Sequence, residues 1–568
     1  MKHNRHETCT IPVPPNGRLR IALAFPNTYY VGMSNLGLQV LYRLLNLIPD
    51  VSCERVFLPE PREVLQLQKT GRPLVTYESG TPVGACHILA FSLSFENDYA
   101  NILTMLDLAG ITPLQQERPP REPLLIAGGI TTFLNPEPLA AIFDLFIIGE
   151  AEGVLQECVD RALQHYGGRA RTRPPLDAFA DIPGVYVPSA YTVTYDSDGR
   201  IASVTARAGF PRRIARRLAP DINAAPGSSC LITPHTEFAD MALAEVSRGC
   251  PRRCRFCAAG SVYRPYRVRA SAGLLSEIAP LLERGTKIGL LGAAVSDHPE
   301  LIGIMQAIMA AGCRVSIASL RADRLTEQIV SLLQQCGHKT FTIAPEAGSE
   351  RLRTALGKNL STNAILRAVR VLAQCRVSTI RLYFMIGLPT ETRADIDAIA
   401  SLTREIKHVY YQEARGEKWL NHLSLSISAF VPKPFTPFQW HSFEQVKTLK
   451  QKLKSIAGAL KKERKVALHY DLPKWGYIQA LLSRGDRRTT RILLAAHAAG
   501  GDWNRAFRQT DVNPDFSVYR RRPFEEILPW DIIDHGIDKQ QLWEEYQEAL
   551  GEGAQGHLQG TEAQSENS

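Results

Sequence analysis

No apolar run in this chain approaches the roughly 20 residues that a membrane-spanning helix needs, and the opening Met-Lys-His-Asn-Arg-His-Glu-Thr is polar, without the features of a signal peptide. Both lacks argue against membrane insertion and secretion, and they predict a cytoplasmic location. An excess of one charge is lacking too. The 66 basic and 57 acidic residues leave a net charge of +9 over 568 residues, too even a balance for charge alone to argue for nucleic acid. A disulfide framework is also excluded, because 11 cysteines is an odd count in a chain with no secretory signal. What is present is an ordinary globular composition, 45% hydrophobic. The length predicts about three domains of ordinary size in place of one core.

Three of the cysteines stand together in Arg248-Gly-Cys-Pro-Arg-Arg-Cys-Arg-Phe-Cys-Ala-Ala-Gly260. A cubane iron–sulfur cluster has four irons and is usually held by four cysteines. A C-x3-C-x2-C group of only three therefore leaves one iron open to a substrate. A structural zinc ion wants four ligands closed tetrahedrally, and the nearest candidates for a fourth, Cys230, His235 and His298, form no second paired knuckle. Cys250, Cys254 and Cys257 are accordingly the candidate metal ligands and the centre of the candidate catalytic site.

The chain around them reads as α/β. After an extension over 1–17, residues 18–165 alternate short apolar runs with helical spacing: Leu19-Arg-Ile-Ala-Leu-Ala-Phe25 before Leu36-Gly-Leu-Gln-Val-Leu-Tyr-Arg-Leu-Leu45, then Ile88-Leu-Ala-Phe-Ser-Leu93, Leu124-Leu-Ile-Ala127 and Leu145-Phe-Ile-Ile148. This predicts a doubly wound parallel sheet whose ligand edge carries Asn27-Thr28-Tyr29-Tyr30, Ser92 to Glu96, Gly128-Gly129 and Gly149-Glu150. Residues 166–240 read as a linker with a hairpin, Tyr191-Thr-Val-Thr-Tyr195 and 201–206 about Asp198-Gly199. The basic Phe210-Pro-Arg-Arg-Ile-Ala-Arg-Arg217 is read as a solvated face, with nucleic acid or an acidic partner as alternatives.

From 241 to 440, strands at 242–246, 288–291, 314–318, 340–344, 379–385 and 423–430 alternate with helices, one of them capped by Ser361 and apolar along Ile365, Val369 and Leu372. Six βα units predict a partial barrel, with chemistry at the strand C-termini. Residues 441–550 read as a C-terminal helical region. It opens on a helix with Val446, Leu449, Leu453, Ile456 and Leu460 on one side and Lys447, Lys450, Lys452, Lys454, Lys461 and Lys462 on the other. Residues 551–568 read as a disordered tail.

The cysteine spacing, with Phe256 just before the third thiol, resembles the signature of the radical S-adenosylmethionine (SAM) superfamily. Later motifs agree in order. Ile317-Ala-Ser-Leu-Arg321 looks like the stretch that holds the SAM ribose and carboxylate. Thr342-Ile-Ala-Pro-Glu-Ala-Gly-Ser-Glu-Arg351 resembles the fourth-strand motif, and Met385-Ile-Gly-Leu-Pro-Thr-Glu391 the fifth. The resemblance implies a [4Fe-4S] cluster on the three cysteines, SAM chelated to the open iron, and Phe256, Ser319, Arg321, Glu346 and Ile386 as the SAM pocket. It also implies a flavodoxin- or ferredoxin-type electron donor and a 5'-deoxyadenosyl radical acting on an unknown substrate.

The sequence departs from the family in two places. The second strand runs into Leu290-Leu-Gly-Ala-Ala-Val-Ser-Asp297 where many members have Gly-Gly-Glu. That leaves the SAM amine to the carbonyls of Gly292 and Ala293 or to the side chains of Ser296 and Asp297. The first domain resembles a cobalamin-binding module but lacks its Asp-x-His-x-x-Gly motif: Asn27-Thr-Tyr-Tyr-Val-Gly-Met-Ser-Asn-Leu-Gly37 holds no histidine. Cobalamin bound without a protein ligand, or a domain reused to bind substrate, are the two readings. Tyr263-Arg-Pro-Tyr-Arg-Val-Arg269, Ala429-Phe-Val-Pro-Lys-Pro-Phe-Thr-Pro-Phe-Gln-Trp440 and Leu482-Ser-Arg-Gly-Asp-Arg-Arg488 are similar to stretches of an uncharacterised group within the superfamily. Part of the second is similar to methylthiotransferases that modify RNA and ribosomal protein. Those enzymes carry a second three-cysteine cluster, whereas Cys53, Cys86 and Cys158 here are scattered as buried free thiols. Cobalamin-dependent methyl transfer, modification of RNA or protein, and a noncatalytic cluster-binding scaffold stand as alternatives to the general radical reading.

Overall fold

The computed structural model of the protein describes residues 6–9, 11, 14, 17–167, 172–417 and 419–551; the expected tail lies outside them except for Gly551. The chain forms two units. The first comprises Met1–Ala244, Leu481–Ser517 and Glu525–Gly536, the second Glu245–Ala480, Val518–Phe524 and Ile537–Ser568.

In the first unit, Val51–Phe57, Leu19–Phe25, Ile88–Ser92, Leu124–Gly128, Leu145–Ile147 and Val185–Tyr186 lie side by side in that order. All pairings are parallel except the last, where Phe146 faces Tyr186. Leu19–Phe25 is buried at six of its seven residues, as a parallel strand covered on both faces must be. The order reverses between Leu19–Phe25 and Ile88–Ser92, and doubly wound sheets bind ligands at such a switch point. The four expected strands are all present, and two were not foreseen. One of these, Val51–Phe57, carries Arg55 in its interior, sandwiched by Tyr42 and Tyr77 and paired with Glu7 (2.7 Å) and Glu78 (2.7 Å). Asn35 caps the helix Leu36–Leu47 by accepting from Leu38 N at 3.0 Å. The hairpin Tyr191–Tyr195 with Ile201–Ala206 forms as expected.

Two motifs have local structural work inside this unit. Arg217 of the basic stretch bonds the Gly153 carbonyl and Glu157 (2.8 Å), and Arg213 bonds the carbonyls of Asp531 (3.3 Å) and Ile533 (3.2 Å). In the segment around Gly485, the Ser483 and Gly485 carbonyls accept from Asn135 Nδ2 (3.1 and 2.7 Å), and Arg487 pairs with Glu137 at 2.9 Å.

The second unit holds the barrel strands. Lys287–Leu291 pairs in parallel with Val315–Ile317, and Val246 N donates to Leu291 O at 2.8 Å, which sets 245–246 at the head of that sheet. Thr340–Glu346, Thr379–Ile386 and His422–Ala429 follow in a second parallel sheet. A seventh strand, Val466–Tyr470, extends it. It is short and mostly exposed on both faces, as an edge strand is. Ser361 caps Thr362–Gln374 by accepting from Ala364 N (3.1 Å), and Ile365, Val369 and Leu372 are fully buried. No described helix is long and apolar enough to cross a membrane.

Candidate functional site

The cysteine loop hangs from a short antiparallel clasp in which Ser247 faces Val268 and Arg248 faces Arg267. Below the clasp, Glu245 takes both Arg248 (2.9 Å) and Arg269 (3.1 Å). Gly249 starts the loop at φ +81°, and a Cβ there would stand 2.4 Å from the Tyr263 carbonyl oxygen. Only glycine satisfies both demands. On its far side the loop is stitched to 355–357: Arg255 N donates to Leu356 O at 2.8 Å and Arg255 Nη1 to Ala355 O at 3.0 Å.

Within this frame Cys250, Cys254 and Cys257 are half-buried free thiols. Arg252 N donates to Cys250 Sγ at 3.5 Å, and Gly260 N to Cys257 Sγ at 3.4 Å, where Cys257 caps the turn Ala258–Val262. Such N–H···S bonds stabilise thiolate charge and tune a cluster. Burial pushes the Cys254 thiol up to about 11, partly offset by Lys358, and raises that of Cys257, partly offset by the Gly260 N–H. Metal binding must therefore displace protons here. Among the described residues no group of three or more His, Cys, Asp or Glu is arranged for a single metal ion. A cubane asks for something else, since each thiolate takes a different iron. Three thiols on one braced loop, with backbone donors to two of the sulfurs, fit such a cluster.

The expected SAM-pocket residues have unequal surroundings, and contacts join two of them, Phe256 and Glu346, through one lysine. Phe256 lies under Lys358 (6.0 Å to the ring centre), and Lys358 Nζ pairs with Glu346 at 2.9 Å, linking two of the motifs through a lysine that no sequence spacing announced. Glu346 has φ +70°, beside a register shift between Ile343 and Glu346. A left-handed glutamate at a strand end is a strained position of the kind that clusters at ligand sites. Ser319 is exposed. Arg321 does not stand free: its fork closes on Asp323, Nε to Oδ1 and Nη2 to Oδ2, both 3.0 Å. Burial pushes the Asp323 carboxyl up, but Arg321 and Arg252 more than offset this and hold it below the usual carboxylate range. The Ile386 side chain is buried and its carbonyl accepts from Phe430 N at 2.9 Å, so the strand end offers only backbone.

Three residues named in the sequence have partners that it did not show. Glu391 folds back on Gly387 N (3.1 Å to each oxygen) and pairs with Lys452, which also reaches Glu444 at 3.1 Å. Lys452 had been placed on the solvated face of its helix; the buried carboxylate draws it in. Asp297 pairs with Arg252 (2.6 Å) and Arg324 (3.2 Å).

Two parallel sheets in sequence, with a three-cysteine loop just past the first strand, define the partial-barrel core of an iron–sulfur enzyme of the radical type. The chain belongs to the radical SAM superfamily: the model described as radical SAM superfamily matches residues 244–403, that of radical SAM proteins, N-terminal, matches 37–188, and together they span more than half of the chain. It is an enzyme that uses a [4Fe-4S] cluster to cleave SAM reductively, generating a 5'-deoxyadenosyl radical that acts on a substrate not yet known. An uncharacterized protein of Methanocaldococcus jannaschii is 29% identical over 480 residues, 83% of this chain and 90% of that one. The ribosomal protein uS12 methylthiotransferase RimO of Thermotoga petrophila is 23% identical over 180 residues, 29% of this chain and 42% of that enzyme. Among solved structures, the radical SAM methyltransferase TsrM from Kitasatospora setae, with cobalamin and a [4Fe-4S] cluster bound, covers 85% of this chain and 100% of its own at 12% identity and TM-score 0.49.

Proposed function

We propose that Cys250, Cys254 and Cys257 ligate three irons of the cluster, and that Phe256, Ser319, Arg321, Glu346 and the backbone at Ile386 form the SAM pocket. The observation that carries this is the braced loop, with its Gly249 turn and N–H···S bonds at two of the three sulfurs. The residues' own work is to hold and shield: Lys358 neutralises Glu346 above the Phe256 ring, and Glu391 fixes the strand end that faces adenine. A flavodoxin- or ferredoxin-type donor and a cytoplasmic location belong to the same reading, which the eleven free cysteines support. The test is anaerobic reconstitution of wild type and Cys254→Ala. Wild type is expected to hold four irons and release 5'-deoxyadenosine on reduction with SAM; the variant should lose most iron and all cleavage. A variant with a full cluster and normal 5'-deoxyadenosine would overturn the assignment.

For the first unit we assign substrate to the switch-point edge, where Asn27 Nδ2 bonds Asp98 Oδ1 at 2.8 Å and Tyr30, Val31 and Phe95 are exposed. Cobalamin without a protein ligand is the second reading. It is favoured by the apolar lining of a small cavity beside the switch point, with Ile21, Leu23, Leu41, Gly128, Gly149 and Val159, which at about 90 Å³ would have to open to admit a corrinoid tail. Anaerobic purification from cobalamin-fed cells discriminates: no corrinoid absorbance is expected, and a stoichiometric corrinoid would make methyl transfer the leading reaction.

A further inference from the structure

Beside Cys250 the second unit buries polar atoms that find no partner. Asp297 Oδ2 is an acceptor without a donor, Arg252 Nε is a donor without an acceptor, and the Ser247 and Tyr266 hydroxyls, each able to donate and accept, have no partner within hydrogen-bond distance. Buried polar atoms are nearly always hydrogen-bonded, so four orphans in one neighbourhood mark a place for a ligand or ordered water. Their neighbourhood is shown by direct contacts. Arg252 holds the other Asp297 oxygen at 2.6 Å, and a Cβ on Gly292 would meet Ser247 Oγ at 2.7 Å. Burial raises the Tyr266 phenol, the Ser247 hydroxyl that faces it lowers it, and the charges of Asp297 and Cys250 raise it further. The Asp297 side chain is 5% exposed. Gly292 and Asp297 lie on the segment that stands where the family's Gly-Gly-Glu is missing.

One carboxylate acceptor, one guanidinium donor and two hydroxyls that can turn either way complement an α-amino-acid head group, whose amine offers N–H donors and whose carboxylate accepts, both on one carbon. We propose that Asp297, with Ser247 and Tyr266, receives the N–H bonds of the SAM α-amine, and that Arg252 Nε meets the carboxylate on the same carbon. Of the N–H bonds that the α-amine would offer, Asp297 Oδ2 would take one and the two hydroxyls would share another. This rests on the radical SAM reading and supplies the amine contact that the altered second-strand segment otherwise lacks.

The test is calorimetry on the full-length, anaerobically reconstituted protein with three probes: SAM, a SAM analogue lacking the α-amino group, and L-methionine. Asp297→Asn is expected to keep four irons, weaken SAM about tenfold, the loss of one charge-assisted hydrogen bond, and leave the analogue's affinity unchanged. Equal weakening of SAM and the analogue would show that Asp297 acts only by bracing the cysteine loop, and overturns the proposal. So does unaltered SAM affinity, or indifference to Asp297 in the binding of L-methionine, which presents the same head group. Tyr266→Phe supplies a second measure. Removing a hydroxyl that has no protein partner should leave the metal-free melting temperature unchanged or higher while SAM affinity falls. A fall of several degrees would reveal a protein partner and overturn the assignment. If the wild type holds a full cluster and binds no SAM, the radical SAM reading itself fails; normal SAM cleavage with an indifferent Asp297 removes only this inference.

Discussion

Arg321 is already engaged, so in the proposed pocket the SAM carboxylate, which Arg252 Nε also meets, has to compete with Asp323 for the Arg321 fork. The competitor is a bidentate pair, both bonds 3.0 Å, between side chains 17% and 27% exposed. Exposed ion pairs contribute about 0.2–1 kcal/mol; the shielding and the matched fork put this one near the upper end, about 1 kcal/mol. Asp323→Asn removes the competing charge with little change of shape, so SAM affinity should rise about fivefold. Arg321→Lys keeps the charge and loses the fork, and affinity should fall about tenfold with the cluster spectrum intact. Because Asp323 is held below the usual carboxylate range, it stays ionised across pH 6 to 8, and the gain in Asp323→Asn should not vary over that window. Titration calorimetry on reconstituted protein reads both variants. Weaker SAM binding in Asp323→Asn, or none lost in Arg321→Lys, would show that the pair is structural and that the carboxylate is held elsewhere.

Gly249→Ala should leave the helical circular dichroism intact and lose most of the bound iron, because the new Cβ meets the Tyr263 carbonyl at 2.4 Å and φ is +81°; full iron content would refute the role given to the turn. Arg353 is fully buried and bonds the carbonyls of Leu360, Ala347 and Gly348 and the Thr362 hydroxyl. Arg353→Met should lower stability by about 3 kcal/mol or more by chemical denaturation, since three buried acceptors lose their donor. Burial raises the Asp98 carboxyl from 3.8 to about 6, partly offset by Asn27. The native state therefore holds this proton in a window where the unfolded chain has lost it, and stability falls as pH rises between those values, by about 3 kcal/mol at most. Asp98→Asn should gain on wild type in melting temperature from pH 4 to pH 7.5, and the opposite trend would refute the shift.

The parallel strands were legible because strands covered on both faces are written as continuous apolar runs. Thr379–Ile386 and His422–Ala429 fall within one residue of the expected bounds, and Ser361 caps as its side chain predicts. Val51–Phe57 was not legible, for the opposite reason. Its Glu54 and Arg55 look like a solvated break, yet Arg55 is buried because Glu7 and Glu78, 48 and 23 residues away, supply the counter-charges. Charge at a strand centre is readable only once the tertiary partners are known. Val466–Tyr470 failed differently: an exposed edge strand carries no burial pattern to read.

The candidate site divides along the same line. The cysteines announce themselves because their geometry is local, three thiols within one loop, and local spacing survives in sequence. Lys358 and Lys452 act by closing on partners that other elements deliver, Lys358 on Glu346 and Lys452 on Glu391, whereas Asp323 closes on Arg321 within one turn. No periodicity marks them, and a lysine on a basic helix reads as solvated until a buried carboxylate is seen beneath it. The same reasoning explains why the second-strand segment was ambiguous. Leu290-Leu-Gly-Ala-Ala-Val-Ser-Asp297 shows that Gly-Gly-Glu is absent, but what replaces it is a set of orphaned atoms drawn from Ser247, Arg252, Tyr266 and Asp297, three of which lie outside the segment. A function lost from one motif and taken up by side chains scattered over 51 positions leaves its trace in the hydrogen-bond inventory, where unmatched buried atoms mark the place.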